Sequence, residues 1–220
     1  MPYRSGALAL HAWMSTPTNE RRPAVVFVHG GSAFGVEDWE MTKPFREAGF
    51  VVMMPILRGE NGSPGAFSLF YDEVDDVLAA TEMLAKQPGV DPTRIYLSGH
   101  SNGGTLAMLA AMASRRFRAA APLSGLVDAT GIAGPPEQVP FDQRDPNEGR
   151  MRSAIAFAGS FQCPVRLFLG TNETGEGAFE ELARLARAAG RDVEVVRVPG
   201  DHSSMTRAAI PLAIELFETR

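Results

Sequence analysis

Short runs of consecutive apolar residues alternate along the chain with longer segments whose apolar positions recur at helical spacing, the pattern of strands joined by crossover helices. Residues 24–28, 50–55, 94–98, 119–123, 164–169 and 193–198 are near-continuous apolar runs, which predicts strands of a parallel sheet covered on both faces. Residues 8–14 alternate instead. Leu8, Leu10, Ala12 and Met14 share one side and His11 and Trp13 the other, which predicts an edge strand with one exposed face.

Ser68 is expected to cap a helix whose stripe runs Phe70, Val74, Val77, Leu78, Thr81 and Leu84, with Pro88–Gly89 as its stop. Residues 103–114 are nearly all Ala, Leu and Met and predict a buried helix whose small side chains let it lie close to the sheet. Residues 176–189 carry Phe179, Leu182, Ala183, Leu185 and Ala186 on one stripe and end at Gly190. A last helix starts near Thr206, takes Pro211 in its early turns and runs to Arg220. The pattern fails over residues 128–162, which are rich in Gly and Pro and offer 150–158 as their helical candidate. A connection of that length predicts a small cap or lid, with a plain surface excursion as the alternative, inserted within one domain spanning residues 1–220.

With 220 residues, 45% apolar and 21% charged, the chain can bury roughly 70% of its unfolded surface around one core. The net charge of −5 includes no basic stripe, so nucleic acid and anionic membrane are excluded as partners. Cys163 is the single cysteine, which excludes an intrachain disulfide and a multi-cysteine metal cradle; beside Pro164 at a strand entrance it reads as a small buried hydrophobe. The longest apolar run, 106–113, falls far short of the roughly 20 residues that span a bilayer. No charged leader precedes an apolar stretch, and a cytoplasmic protein, monomer or homodimer, is expected.

The chemistry concentrates in Gly99-His100-Ser101-Asn102-Gly103, placed between a predicted strand and a predicted helix. A serine lifted out of a sheet on so sharp a turn needs strained backbone angles and no side chains two residues before and after, which Gly99 and Gly103 provide. The turn leaves the Asn102 N–H at a helix N-terminus, where a developing oxyanion is favoured. A serine nucleophile needs a base, and the base an orienting carboxylate. His202 is the one histidine after Ser101 and follows the last predicted strand. Glu173, after the strand before it, is the leading candidate for the acid; Asp128 and Glu176 are the alternatives, and Asp201 would point away from its neighbour His202.

The loop His29-Gly30-Gly31-Ser32 follows the first core strand, and Gly31 N–H is the expected second oxyanion donor, with Ser32 beside the substrate. His29 is expected to hold this loop. Arg58, in a further loop at the same sheet edge, is a candidate for binding substrate or for pinning its own loop through ion pairs. The acidic group Asp72, Glu73, Asp75 and Asp76 reads as a solvated helix face answering the dipole rather than as a metal site.

Together the HGG loop, Arg58-Gly59-Glu60-Asn61-Gly62, Gly99-His100-Ser101-Asn102-Gly103-Gly104 and Pro199-Gly200-Asp201-His202 resemble the α/β-hydrolase superfamily, most closely its prolyl-oligopeptidase and dienelactone-hydrolase-like group. The resemblance implies an α/β-hydrolase fold: a mostly parallel central sheet with helices on both faces and a short insertion after the sixth core strand. It implies Ser101 as nucleophile, Glu173 as acid, His202 as base, Gly31 and Asn102 as oxyanion donors, and no metal or organic cofactor. Dienelactone hydrolases carry Cys at the elbow, and the oligopeptidases carry a propeller domain that 220 residues do not accommodate beside the hydrolase core. The expected substrate is therefore a small-molecule carboxylic ester, with a short peptide as the alternative and a non-catalytic binding protein of the same fold as the rival from another class.

Overall fold

The computed structural model describes residues 1–16 and 20–220. Among these, eight strands form one sheet: β1 (Pro2–Ser5), β2 (Leu8–Met14), β3 (Arg22–Val28), β4 (Val51–Ile56), β5 (Val90–His100), β6 (Ala120–Leu123), β7 (Val165–Gly170) and β8 (Val193–Val198). Their spatial order is β1-β2-β4-β3-β5-β6-β7-β8. Strands β3 to β8 pair in parallel, and β1 and β2 form an antiparallel border on β4. The alternating strand 8–14 therefore does not lie at the sheet edge as its pattern suggested. The short strand β1 covers it, and β2 still has one wet face because only one side of this border is packed.

Alternate residues of the continuous apolar runs feed two separate cores, as both-face burial requires. Val26, Val28, Met53, Leu97 and Leu167 face one layer, where they meet α3 (Glu73–Leu84), α4 (Asn102–Ala113) and α6 (Glu176–Ala188). Val25, Phe27, Val52, Met54, Tyr96 and Phe168 face the other, filled by Phe45 of α2 (Lys43–Glu47) and by Ala209, Ile210, Ala213 and Phe217 of α7 (Thr206–Glu218). Tyr96 and Phe217 stack with ring centroids 4.6 Å apart, fixing α7 across the sheet centre. Two short helices, α1 (Val36–Met41) and α2, lie between β3 and β4 where periodicity suggested none; six and five residues are too few turns to reveal a stripe. Among the described residues no helix is long and apolar enough to cross a membrane.

Three further expectations are corrected. The helix expected from Ser68 starts at Glu73, because Leu69 and Phe70 take left-handed backbone angles (φ 56° and 68°) that a helix cannot accept. Its acidic start is only partly solvated: Glu73 and Asp76 are buried. Glu73 accepts from the Ser68 and Tyr71 N–H groups and the Ser68 hydroxyl, and Asp76 pairs with Arg58. The helical candidate 150–158 is divided into α5 (Pro146–Met151), capped by Asp145, and a 3₁₀ segment, Ala154–Ser160, kinked at Phe157. This stretch lies against α4 and α6 and is tied back by Ile155 N–H to Val127 O (3.1 Å) and Arg152 Nε–H to Ser68 O (3.0 Å).

Candidate active site

The carboxyl ends of β3, β5, β6, β7 and β8 lie side by side, and each delivers one part of a single cluster. Ser101 sits at the β5–α4 junction with φ 59° and ψ −119°, a strained conformation for a residue with a side chain. Its own ladder holds it there: Ser101 N–H donates to Leu123 O at 3.0 Å, and Thr105 N–H to Ser101 O at 3.1 Å. The flanking glycines are required by contact. A Cβ on Gly103 would lie 2.0 Å from Val28 O, and one on Gly99 would lie 2.4 Å from Gly103 O. The helix thus approaches the sheet backbone to backbone, which aims the serine outward from the sheet edge.

His202 Nε2 is 2.9 Å from Ser101 Oγ, and His202 Nδ1 is 2.6 Å from Glu173 Oε1. This fixes the tautomer: Nδ1–H donates to the carboxylate and Nε2 faces the serine hydroxyl. The loop bearing His202 is rigidified by Asp201, whose Oδ1 accepts from Ser203 N–H, Ser204 N–H and the Ser204 hydroxyl. Asp201 is thereby committed to its own turn, as its position next to His202 suggested. From below, His100 Nε2–H donates to His202 O at 2.6 Å. Burial holds the His100 pKa down, so it serves this contact as a neutral ring.

Glu173 reaches His202 from the loop after β7, which is joined to the loop after β8 by Asn172 N–H to Gly200 O at 3.0 Å. Burial resists its charge, yet hydrogen bonds from the Ser124 hydroxyl, His202 and Gly170 N–H outweigh this and hold the carboxyl below the usual glutamate range. The two alternatives are engaged elsewhere. Asp128 Oδ1 accepts from Thr130 N–H, the Thr130 hydroxyl and Ser153, and Glu176 pairs with Arg197 at 2.6 Å.

The glycine loop after β3 runs close beside the serine: a Cβ added at Gly30 would lie 3.4 Å from Ser101 Cβ. Asn102 Nδ2–H donates to Gly31 O at 3.0 Å and ties the loop to the start of α4. Ser32 is exposed on this loop. His29 anchors it from behind, with Nδ1 2.9 Å from Gly30 O and Nε2 2.9 Å from Glu60 Oε2. Burial opposes protonation of His29, but with an acceptor at each nitrogen the Glu60 carboxylate raises its pKa.

Arg58 is corrected as a substrate ligand. Its guanidinium is spent on Asp76 through Nε (2.9 Å) and Nη2 (2.7 Å), with Asp72 3.6 Å away, and it pins its own loop. The Nε–Nη2 edge is taken by a buried carboxylate and Nη1 faces Asp72, so the guanidinium is committed to holding its own loop. Burial pushes the Cys163 thiol up to about 12, in keeping with a packing role. Ser124 is the member of the cluster that motif reading missed. Only its position after β6 signalled it, and every loop at this edge shares that signal.

A cleft of about 470 Å³ opens beside the imidazole, lined by Ser124, Gly125, Asn172, Glu173, Thr174, Asp201 and His202. Another, about 500 Å³, lies between the start of α3 and the far end of α4, more than two helical turns from Ser101 along that helix, and takes no part in this cluster. A polarised hydroxyl, a base oriented by a carboxylate and backbone N–H groups at a helix start form the equipment for nucleophilic acyl transfer.

The strand order, the turn at Ser101 and the helices on both faces of the sheet define the α/β-hydrolase fold. The chain belongs to the prolyl oligopeptidase family, whose model matches residues 36–158, more than half of its length. It is 32% identical over 83 residues to the Bacillus subtilis (strain 168) protein named Uncharacterized peptidase YtmA, a match covering 36% of this chain and 32% of that one. Among solved structures it is similar to uncomplexed Pyrococcus horikoshii acylaminoacyl peptidase (TM-score 0.77, 21% identity, 99% of this chain and 39% of that one). It is also similar to Est1E of Butyrivibrio proteoclasticus with bound ferulic acid (TM-score 0.75, 22% identity, 100% of this chain and 98% of that one). The chain thus spans about a third of the curated relative and two fifths of the peptidase, but nearly all of Est1E. Ser101 lies inside the family match, whereas Glu173 and His202 lie beyond it.

Proposed function

We propose that the protein hydrolyses carboxylic esters of small or medium acyl groups through an acyl-enzyme on Ser101. The observation that carries this reading is the unbroken chain from Ser101 Oγ to His202 to Glu173, at 2.9 and 2.6 Å. Ser101 Oγ attacks the ester carbonyl carbon while His202 Nε2 takes its proton. The tetrahedral oxyanion is held by the N–H groups of Asn102 and Gly31. As the carbon–oxygen bond to the alcohol breaks, His202 returns the proton to the leaving oxygen. Water then enters by the same steps reversed and frees Ser101. Glu173 keeps His202 in the productive tautomer and stabilises the imidazolium. Ser32 on the oxyanion loop contacts the acyl group, and residues 128–162 act as a small cap within a single domain.

The similarity to Est1E, a chain matched over nearly its whole length and holding ferulic acid, a carboxylic acid such as ester cleavage releases, supports the ester reading. The family match and the peptidase name of the Bacillus relative favour a second reading, an exopeptidase acting on short peptides with the same machinery. A fluorophosphonate probe is expected to label the wild type and not Ser101→Ala, and p-nitrophenyl butyrate is expected to be cleaved faster than aminoacyl-p-nitroanilides. Faster turnover of the anilides would install the peptidase reading. Equal labelling and turnover in Ser101→Ala would refute both.

A further inference from the structure

We propose that Ser124 is a positioning residue for the acyl-transfer cluster: its buried hydroxyl donates to the same Glu173 oxygen that accepts the His202 Nδ1–H hydrogen bond, and holds that carboxylate in one rotamer. This rests on the serine-hydrolase reading above.

Ser124 stands at the end of β6, is 4% exposed, and has φ 59°, an unusual conformation for a residue other than glycine. Neighbouring strands hold it in place. Its N–H donates to Phe168 O at 2.7 Å, while the preceding residue, Leu123, receives Ser101 N–H. The Cα–Cβ direction of residue 124 is therefore set by the same backbone ladder that sets the nucleophile. Its Oγ lies 2.6 Å from Glu173 Oε1 and 3.1 Å from His202 Nδ1.

A buried serine usually satisfies its hydroxyl on a backbone carbonyl, as Ser98 does on the adjacent strand with Ala121 O at 2.7 Å. Ser124 instead spends its proton on a carboxylate. The carboxylate needs this second anchor, because glutamate has one more side-chain torsion than aspartate and Gly170 N–H, at 2.8 Å, holds only Oε2. With Ser124 and His202 both on Oε1, neither oxygen can swing away from the imidazole. His202 is the ionisable group facing the carboxylate, and Ser124 and Gly170 are its neutral donors.

Ser124→Ala keeps the Cβ and the backbone and removes the donor alone. In the full-length protein carrying Ser101→Ala, the Glu173 side-chain carboxyl followed by carbon-13 NMR is expected to titrate about half a pH unit higher once Ser124 is replaced. With Ser101 intact, Ser124→Ala is expected to lower kcat for p-nitrophenyl butyrate about tenfold with KM within about twofold, the loss of one hydrogen bond to a charged group. In a Glu173→Ala background the same substitution is expected to change kcat less than about twofold, because the partner is gone. An unmoved Glu173 titration, or an equal kcat loss in both backgrounds, would overturn the proposal and leave Ser124 a packing residue. Absence of any Ser101-dependent turnover in the wild type would refute the hydrolase reading instead, and the carboxyl titration would still decide the role of Ser124.

Discussion

Replacing Gly103 by alanine tests whether the serine's placement depends on backbone contact between α4 and the sheet. The new Cβ would meet Val28 O at 2.0 Å, His29 O at 2.5 Å and the Val28 carbonyl carbon at 2.5 Å, all main-chain atoms that cannot rotate away. Contact without overlap between carbon and oxygen needs about 3.3 Å, so α4 and β3 must separate by more than an ångström. Ser101 is the residue that opens α4, and His202 is held separately by the β8 loop and His100, so the 2.9 Å Ser101–His202 hydrogen bond absorbs the displacement. A misplacement of that size costs on the order of 100-fold in the chemical step. Overpacking should also cost about 2 kcal/mol of stability, a fall in melting temperature of roughly 4–8 °C for a chain this size. The assay is kcat/KM on p-nitrophenyl butyrate together with a thermal melt, set against Gly177→Ala. A Cβ at Gly177, inside α6, meets nothing within 4 Å, so that variant should keep full activity and gain about 0.5 kcal/mol or more from helix propensity. Turnover by Gly103→Ala within twofold of wild type, with an unchanged melt, would refute the close-approach account of the elbow.

Three other expectations follow from the same contacts. Asp76→Ala strands the Arg58 guanidinium beside an apolar interior; removing one partner of this largely buried pair should cost about 3 kcal/mol, read as a melt lower by roughly 6–12 °C, and a loss under 2 °C would show the pair to be dispensable. The His29–Glu60 pair should give pH-dependent stability. Because the His29 pKa is raised above its ordinary 6.5, its contribution is complete below that value and is lost as pH rises through the higher folded value. The melting difference between wild type and Glu60→Gln should therefore be largest near pH 6 and shrink toward pH 9, and a difference that grows with pH would contradict the assignment. Cys163, its thiol pushed up to about 12 by burial, should resist iodoacetamide at pH 8 in the folded protein and react on unfolding; fast native-state alkylation would show the packing around it to be open.

The six continuous apolar runs announced the parallel strands because a strand buried on both faces has no polar register to confuse it. Ser101 and His202 were picked out as candidates for a related reason: in a sheet with helical crossovers, side chains that converge on one site start just past the carboxyl ends of strands. Chain order and strand endings together left few positions. The same reasoning put Glu173 first but kept Asp128 and Glu176 as alternatives, since each follows a strand or opens the next helix. The choice fell to whichever loop the β8 turn happened to meet, and Asn172 N–H on Gly200 O records that meeting.

Arg58, Asp76 and Glu73 show where local reading fails. Four carboxylates at a helix start look like a solvated cap, yet Asp76 is buried because a loop from another strand brings a guanidinium onto it, and Glu73 because two left-handed residues fold the preceding turn back over it. Arg58 lies 18 residues from Asp76 in sequence, and the left-handed turn before Glu73 leaves no trace in the helical periodicity. Periodicity, glycine placement and residue order determined strands β2 to β8, the main helices and the turn at Ser101, because those depend on the chain's immediate neighbours. Tertiary structure brought the Glu173 carboxylate onto His202, put the Ser124 hydroxyl on the same oxygen and paired Arg58 with Asp76. Each of these is a contact between loops from different strands, and its distance is set by how the sheet lays those strands side by side.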